Sequence, residues 1–180
     1  MITIHATKKL HAKLPLNADG LLPNHPGPAT EPVVTANTLS GWHANLLTLQ
    51  RRNCVLLVHD ATRFPLFIKA LIKADFAHFN EYFADTLMNT LLKAGANQQQ
   101  LDAAASLLAP CRFDTVCNRS VQGTLNHMAG DIEHMLLYDS ARLEEISAYR
   151  TGAWLADRPC NVKGVKGYIW PQDAMLALLS

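Results

Sequence analysis

Hydrophobic positions along the chain change their spacing several times, and each change marks an element. Ile2-Thr3-Ile4-His5 alternates as a short strand does. Thr7 stands where a helix N-cap belongs, ahead of Lys8 to Leu14, with Leu10 and Leu14 four apart on one face and Pro15 as the stop. The densest pattern runs from Leu39 to Ile72. Trp42–Leu49 and Cys54–Val58 are two apolar runs joined by the polar corner Gln50-Arg51-Arg52-Asn53, which predicts a hairpin. Val55, Leu56, Leu57 and Val58 are apolar without a break, so this strand is expected to be covered on both faces near the middle of a sheet. Beyond it two readings compete. Phe64, Phe67, Ile68, Leu71 and Ile72 recur at helical spacing, with Thr62 as N-cap and Pro65 in the first turn; Phe64, Leu66 and Ile68 also alternate as in a strand. The short helix is the preferred reading.

Further on the spacing is helical. Phe76, Phe79, Phe83, Leu87 and Leu91 step by three or four between a capping Asp75 and a terminating Gly95. Asn97 and Gln100 form a capping-box signature for a helix through Leu101, Ala104, Ala105 and Leu108, ended by Pro110. The pair reads as an αα-hairpin on one side of the sheet. Cys111 to Cys117 predicts another strand, and Asn118 or Ser120 caps a long helix to about Tyr138. One face of that helix carries Val121, Leu125, Met128, Ile132, Met135 and Leu136. At about 100° per residue, Gly123, His127, Gly130 and His134 fall on the opposite side. An interior glycine costs a helix about 1 kcal/mol relative to alanine, so this second face is expected either to meet another segment or a partner subunit closely, or to be solvated with tolerated glycines. Ser140 is placed to cap a helix with Leu143, Ile146, Tyr149, Ala153 and Trp154, and Pro171 starts a last short one after the turn-rich Lys163–Gly167.

The sum is an α+β fold, a small and largely antiparallel sheet packed with several helices, in a single domain over residues 1–180. The exception is Pro15 to Ser40. Pro15, Pro23, Pro26, Pro28 and Pro32 with Gly20 and Gly27 rule out a continuous helix or central strand, which predicts a mobile or peripheral connection.

Composition narrows the partners. With 49% hydrophobic residues there is ample material for a core, and a net charge of +1 with scattered signs gives no footprint for a nucleic acid. No run approaches the roughly 20 apolar residues that span a bilayer, and the start has no signal-peptide pattern. A cytoplasmic protein is expected. Cys54, Cys111, Cys117 and Cys160 form no C-x-x-C pair and are expected to be four buried thiols acting as small hydrophobes.

Candidate chemistry lies at the strand ends. His59 and Asp60 close the buried strand and Arg63 follows; Asn118 and Arg119 open the long helix, whose N-terminus attracts anions. If both ends share an edge, His59, Asp60, Arg63, Asn118 and Arg119 form one polar ligand-binding cleft. The structural alternative is that Asp60 and Arg63 organise a turn while Asn118 only caps. His127, Asp131 and His134 are spaced to share a helix side, but a fourth ligand is missing and they are taken as surface residues, with no metal or cofactor assigned. No G-x-S-x-G, P-loop or G-x-G-x-x-G is present, and no catalytic residue is assigned.

Thr7-Lys8-Lys9-Leu10, Gly41-Trp42-His43-Ala44-Asn45-Leu46 and Asp60-Ala61-Thr62-Arg63-Phe64-Pro65, together with Phe113-Asp114 and Asn118-Arg119-Ser120-Val121, resemble a bacterial family of uncharacterised proteins, a domain of unknown function. The resemblance runs from the first strand to about Tyr138. It implies a bacterial cytosolic domain and brings no activity, substrate or cofactor. Two functions are therefore expected from the residues: a binding or interaction protein, as a homodimer through the Gly123/Gly130 helix face, or an enzyme acting on a small anionic substrate at the His/Asp/Arg cleft.

Overall fold

The computed structural model describes residues 1–23, 37–162 and 164–180. Most of the Pro-rich stretch thus lies outside the described residues. Its near end does not: Leu21 bridges Arg112, and the amide of Phe113 donates to the Gly20 carbonyl at 2.9 Å.

Five strands form the main sheet: β1 (Ile2–Ala6), β2 (Trp42–Leu49), β3 (Arg52–His59), β4 (Pro65–Leu71) and β5 (Cys111–Asp114), in the order β4-β3-β2-β1-β5. The hairpin β2–β3 turns on Gln50 and Arg51, both at positive φ (46° and 66°), as a two-residue connection requires. β4 continues antiparallel from β3, whereas β1 pairs in parallel with both β2 and β5, so the fold is α+β with a mixed sheet. Val55, Leu56, Leu57 and Val58 are all fully buried, as their unbroken apolarity requires.

The segment after β3 is a strand and not the short helix expected. Its alternation prevails because Leu66 and Ile68 join one core layer while Phe67 joins the other. Pro65 opens β4 at the sheet's edge, where its missing amide costs no ladder bond. Thr62 accordingly caps no helix: its hydroxyl accepts from the Phe64 amide at 3.2 Å. Nor does Thr7 cap α1 (Lys8–His11) with its side chain, which bonds Asn45 instead.

Two layers of helices cover the sheet. On one side lie α2 (Phe79–Lys93), entered through a 3-10 turn at Lys73–His78, α3 (Gln98–Leu107), and α6 (Pro171–Leu178). Phe76, Phe79, Phe83, Leu87 and Leu91 pack there against Ile4, Trp42, Leu57 and Leu66. On the other side α4 (Arg119–Tyr138) lays Val121, Leu125, Met128, Ile132 and Leu136 on Leu47, Leu56 and Val58. A helix α5 (Ala148–Ala156) packs along β4 and α2, its Gly152 close against Thr90 and the Pro65 carbonyl. It starts at Ser147, not at Ser140. The Lys69 ammonium donates to the carbonyls of Leu143, Glu144 and Ile146, which removes the acceptors an earlier helical turn would need. Cys160–Asn161 and Tyr168–Ile169 add a small hairpin, β6–β7, outside the main sheet.

Candidate functional site

Cross-strand register builds the site. In one row of the sheet Asp114 of β5, His5 of β1, His43 of β2 and Val58 of β3 are direct neighbours, so their side chains share a face. α4 packs on β2 and β3, covering the apolar end of this row. At the β1–β5 end the side chains keep some exposure, 18% for His5 and 39% for Asp114. Polar residues stand at that end, and the row changes chemistry where the helix stops covering it.

Asp60, in the β3–β4 loop, completes the row. Its amide donates to the Gly41 carbonyl (2.9 Å), which sets the carboxylate between the two imidazoles. Oδ1 lies 2.7 Å from His43 Nδ1 and Oδ2 lies 3.7 Å from His5 Nε2. Gly41 is required here: its φ of +95° suits no side chain, and a Cβ would stand 3.2 Å from Asp60 Oδ2. On the far side His5 Nδ1 and Asp114 Oδ1 are 2.6 Å apart, and Asp114 Oδ1 also accepts from the Val116 amide at 3.0 Å.

His43 is buried and its tautomer follows from its partners. The backbone N–H of Asn118 donates to Nε2 at 2.7 Å, so that nitrogen carries no proton and Nδ1–H donates to Asp60. Asn118 in turn caps α4, its side-chain oxygen accepting from the Ser120 amide at 2.9 Å. Two hydrogen-bonded segments thus lie end to end, Asp114–His5 and Asp60–His43–Asn118, the second reaching the first turn of α4, with 3.7 Å between His5 Nε2 and Asp60 Oδ2. His43 has both nitrogens engaged and acts as a fixed strut. His5 is the imidazole with a loosely held nitrogen, flanked by a second carboxylate, which is the geometry of an oriented proton acceptor or a hydrogen-bonding ligand contact.

The five residues singled out from the sequence are dispersed around this row. Asp60 is in it, and Asn118 is tied to it through its backbone. Arg119 is exposed on the first turn of α4. His59 pairs with Trp42 in the neighbouring row and faces the opposite side of the sheet, fully buried, with its ring 4.9 Å from the Trp42 ring. Burial pushes its pKa down to about 4, against the partial opposition of Asp60 and the carbonyls of Ser40 and Thr38. Its Nδ1 accepts from the hydroxyl and amide of Thr62, and its buried Nε2 has the Ser40 and Thr38 carbonyls nearby but neither in good hydrogen-bond geometry. Arg63 is 5% exposed and reaches Ser120 Oγ through Nη2 at 3.4 Å. Burial lowers its pKa from the ordinary value, with Asp60 acting in the other direction.

Three members escaped the sequence reading of the site: His5, His43 and Asp114. The available signal was a histidine at the polar phase of two strands, Ile4-His5-Ala6 and Trp42-His43-Ala44, each between buried neighbours. Among the described residues no three His, Cys, Asp or Glu side chains are placed to hold a metal. Asp131 pairs with Arg158 at 2.8 Å and His134 stacks on Tyr138.

No helix among the described residues is long and apolar enough to cross a membrane. A family described as a domain of unknown function (DUF6933) matches residues 3–174. Neither the curated proteins nor the solved structures contain a significant match.

Proposed function

The chain belongs to that family of unknown function, and since the family brings no activity with it, we propose from the geometry alone that this is a binding protein whose ligand is met at the His5–Asp60–Asp114 edge. The observation that carries the reading is the convergence of ionisable side chains from positions 5, 43, 60 and 114 into one row, two hydrogen-bonded His–Asp pairs set 3.7 Å apart, with three of the four partly open to solvent. Holding such groups together costs desolvation and ordering, which a surface with no task has no reason to meet. A small-molecule screen by thermal unfolding tests it: a stabilising ligand should lose its effect on His5→Gln and Asp114→Asn, each read against its own ligand-free midpoint. Hits that stabilise these variants as much as the parent would move the site elsewhere.

A second reading, an enzyme acting on a small anionic substrate, draws support from the Asp114–His5 pair. A carboxylate on Nδ1 orients an imidazole for proton abstraction at Nε2. The two readings part on turnover: the enzyme consumes the ligand found in the screen and the binding protein returns it unchanged.

Self-association through the Gly123/Gly130 face of α4 belongs to the same proposal. Both glycines are exposed, nothing stands within 4 Å of a Cβ built on either, and Leu137 and Tyr138 are exposed farther along the helix. A cytosolic setting draws support from Cys54, Cys111, Cys117 and Cys160, all of them free thiols, of which Cys54 and Cys111 are buried whereas Cys117 is exposed and Cys160 half-buried.

A further inference from the structure

Arg63 is the one buried Lys or Arg among the described residues, and it has no counter-charge in ion-pair range there. Its guanidinium is permanently protonated and only 5% exposed. Among the described residues it has no carboxylate within ion-pair range, one long bond to Ser120 Oγ (3.4 Å), and no partner at all for Nε. Asp60 is the acidic neighbour in the loop, but its oxygens are turned to His43 and His5. A buried charge in a native fold is normally paired, and an unpaired one calls for an ion or water that completes it.

The surroundings of Arg63 are electropositive. Ser120 is the second residue of α4, a helix of 20 residues whose positive end therefore lies beside Arg63. Arg119 stands exposed on the same turn. The Asn118 side-chain oxygen already accepts from the Ser120 and Val121 amides, so the helix end contributes its positive field rather than free N–H groups. A planar guanidinium fork and a hydroxyl, set in the positive field of a helix N-terminus, make a donor set suited to an oxyanion.

We infer that Arg63, Ser120 and the first turn of α4 form a subsite for an oxyanion, a phosphate or carboxylate group carried by the ligand of the adjoining edge. The subsite rests on the ligand-binding reading above and names the charge of the ligand. The ligand's anionic group is held at Arg63 while its remainder reaches His5 and Asp60 across the Asn118–His43 contact.

The test is thermal unfolding at constant ionic strength with chloride exchanged for inorganic phosphate, and in a second arm for acetate. The wild-type midpoint should rise by about 5 °C or more at a hundredfold excess over Kd. Arg63→Met, which replaces the charge by an apolar side chain of similar length, should be at least as stable as wild type in chloride and should lose the anion-specific rise. Arg63→Lys should retain a fraction of it, and Arg119→Gln, on an exposed position, should weaken binding several-fold. If the Met variant does not fold, the comparison is read on the Lys and Gln variants. A rise confined to the phosphate arm identifies a phosphate group, and one confined to acetate a carboxylate. Equal shifts in wild type and all Arg63 variants, or none in either arm, overturn the subsite. Asp114→Asn should keep the phosphate response, so the outcome is separable from that of the ligand screen at the His5 edge.

Discussion

His43 shows how little freedom a titratable group keeps once both ring nitrogens are used. Replacing it with alanine leaves Asp60 without its donor and the Asn118 amide without its acceptor. Hydrogen bonds to charged groups contribute about 1.5–3 kcal/mol, so His43→Ala should lower unfolding stability by about 2–4 kcal/mol in a urea titration. His59 gives a pH signature. Its folded pKa of about 4 lies below the ordinary 6.5, so the folded state binds fewer protons than the unfolded chain between those values. Stability from this group is therefore full above about pH 6.5 and falls as pH drops toward 4, by roughly 3 kcal/mol across the window. The pH profile of the unfolding midpoint should flatten in His59→Phe over that range. At this scale the sequence was legible only in part. His59 and Asp60 are adjacent in the chain, yet a strand sends consecutive residues to opposite faces and the chain leaves the strand between them. The partners of Asp60 come from positions 5 and 43, and that of His5 from position 114, so the row exists only through a register that no local pattern encodes.

Element by element, caps and unbroken apolar runs were the readable features. Asn97 and Gln100 exchange the bonds of a capping box at 2.9 Å each, and Asn118 caps α4 as its position suggests. Where the reading failed, a distant side chain decided. The residues from Leu143 to Ile146 have helical spacing, but Lys69, 74 residues away from Leu143, takes their carbonyls. The Gln50 side chain bonds the Ala141 carbonyl and the Leu143 amide, fixing the same stretch in a non-helical form. Pro65 and Thr62 imitated a helix start, while a sheet edge needing one more strand outweighed them. Gly41 couples an element boundary to the site. Gly41→Ala meets the strain of φ +95° and a close approach to Asp60 Oδ2, so a loss of about 1–2 kcal/mol is expected. The same variant should shift the NMR resonances of His5 and His43, since Asp60 must move; unshifted imidazoles would show the turn to be uncoupled from the row.

For the molecule as a whole, the sheet carries two apolar layers and one polar corner, and α4 is common to both functions proposed. Its buried face closes the second layer, its first turn holds Asn118 against His43, and its outer face is open at Gly123 and Gly130. Light scattering should return a dimer that Gly130→Leu disrupts; a monomer before and after the substitution removes that face from consideration. The fold class was visible from the sequence because layered helices and strands announce themselves by period. The mixed pairing was not, because direction of approach is absent from any single strand.

β1 is a five-residue strand wedged between two partners that lie far along the chain. Its neighbour on one side begins at Trp42 and on the other at Cys111. As the polypeptide is made from its N-terminus, β1 emerges early and finds its second neighbour only after residues 111–114 have been synthesised. Until then one ladder of backbone groups stays open to any passing strand. Closure of the sheet is accordingly a late, long-loop event, and slow refolding with a window of vulnerability to aggregation follows from where those five residues sit.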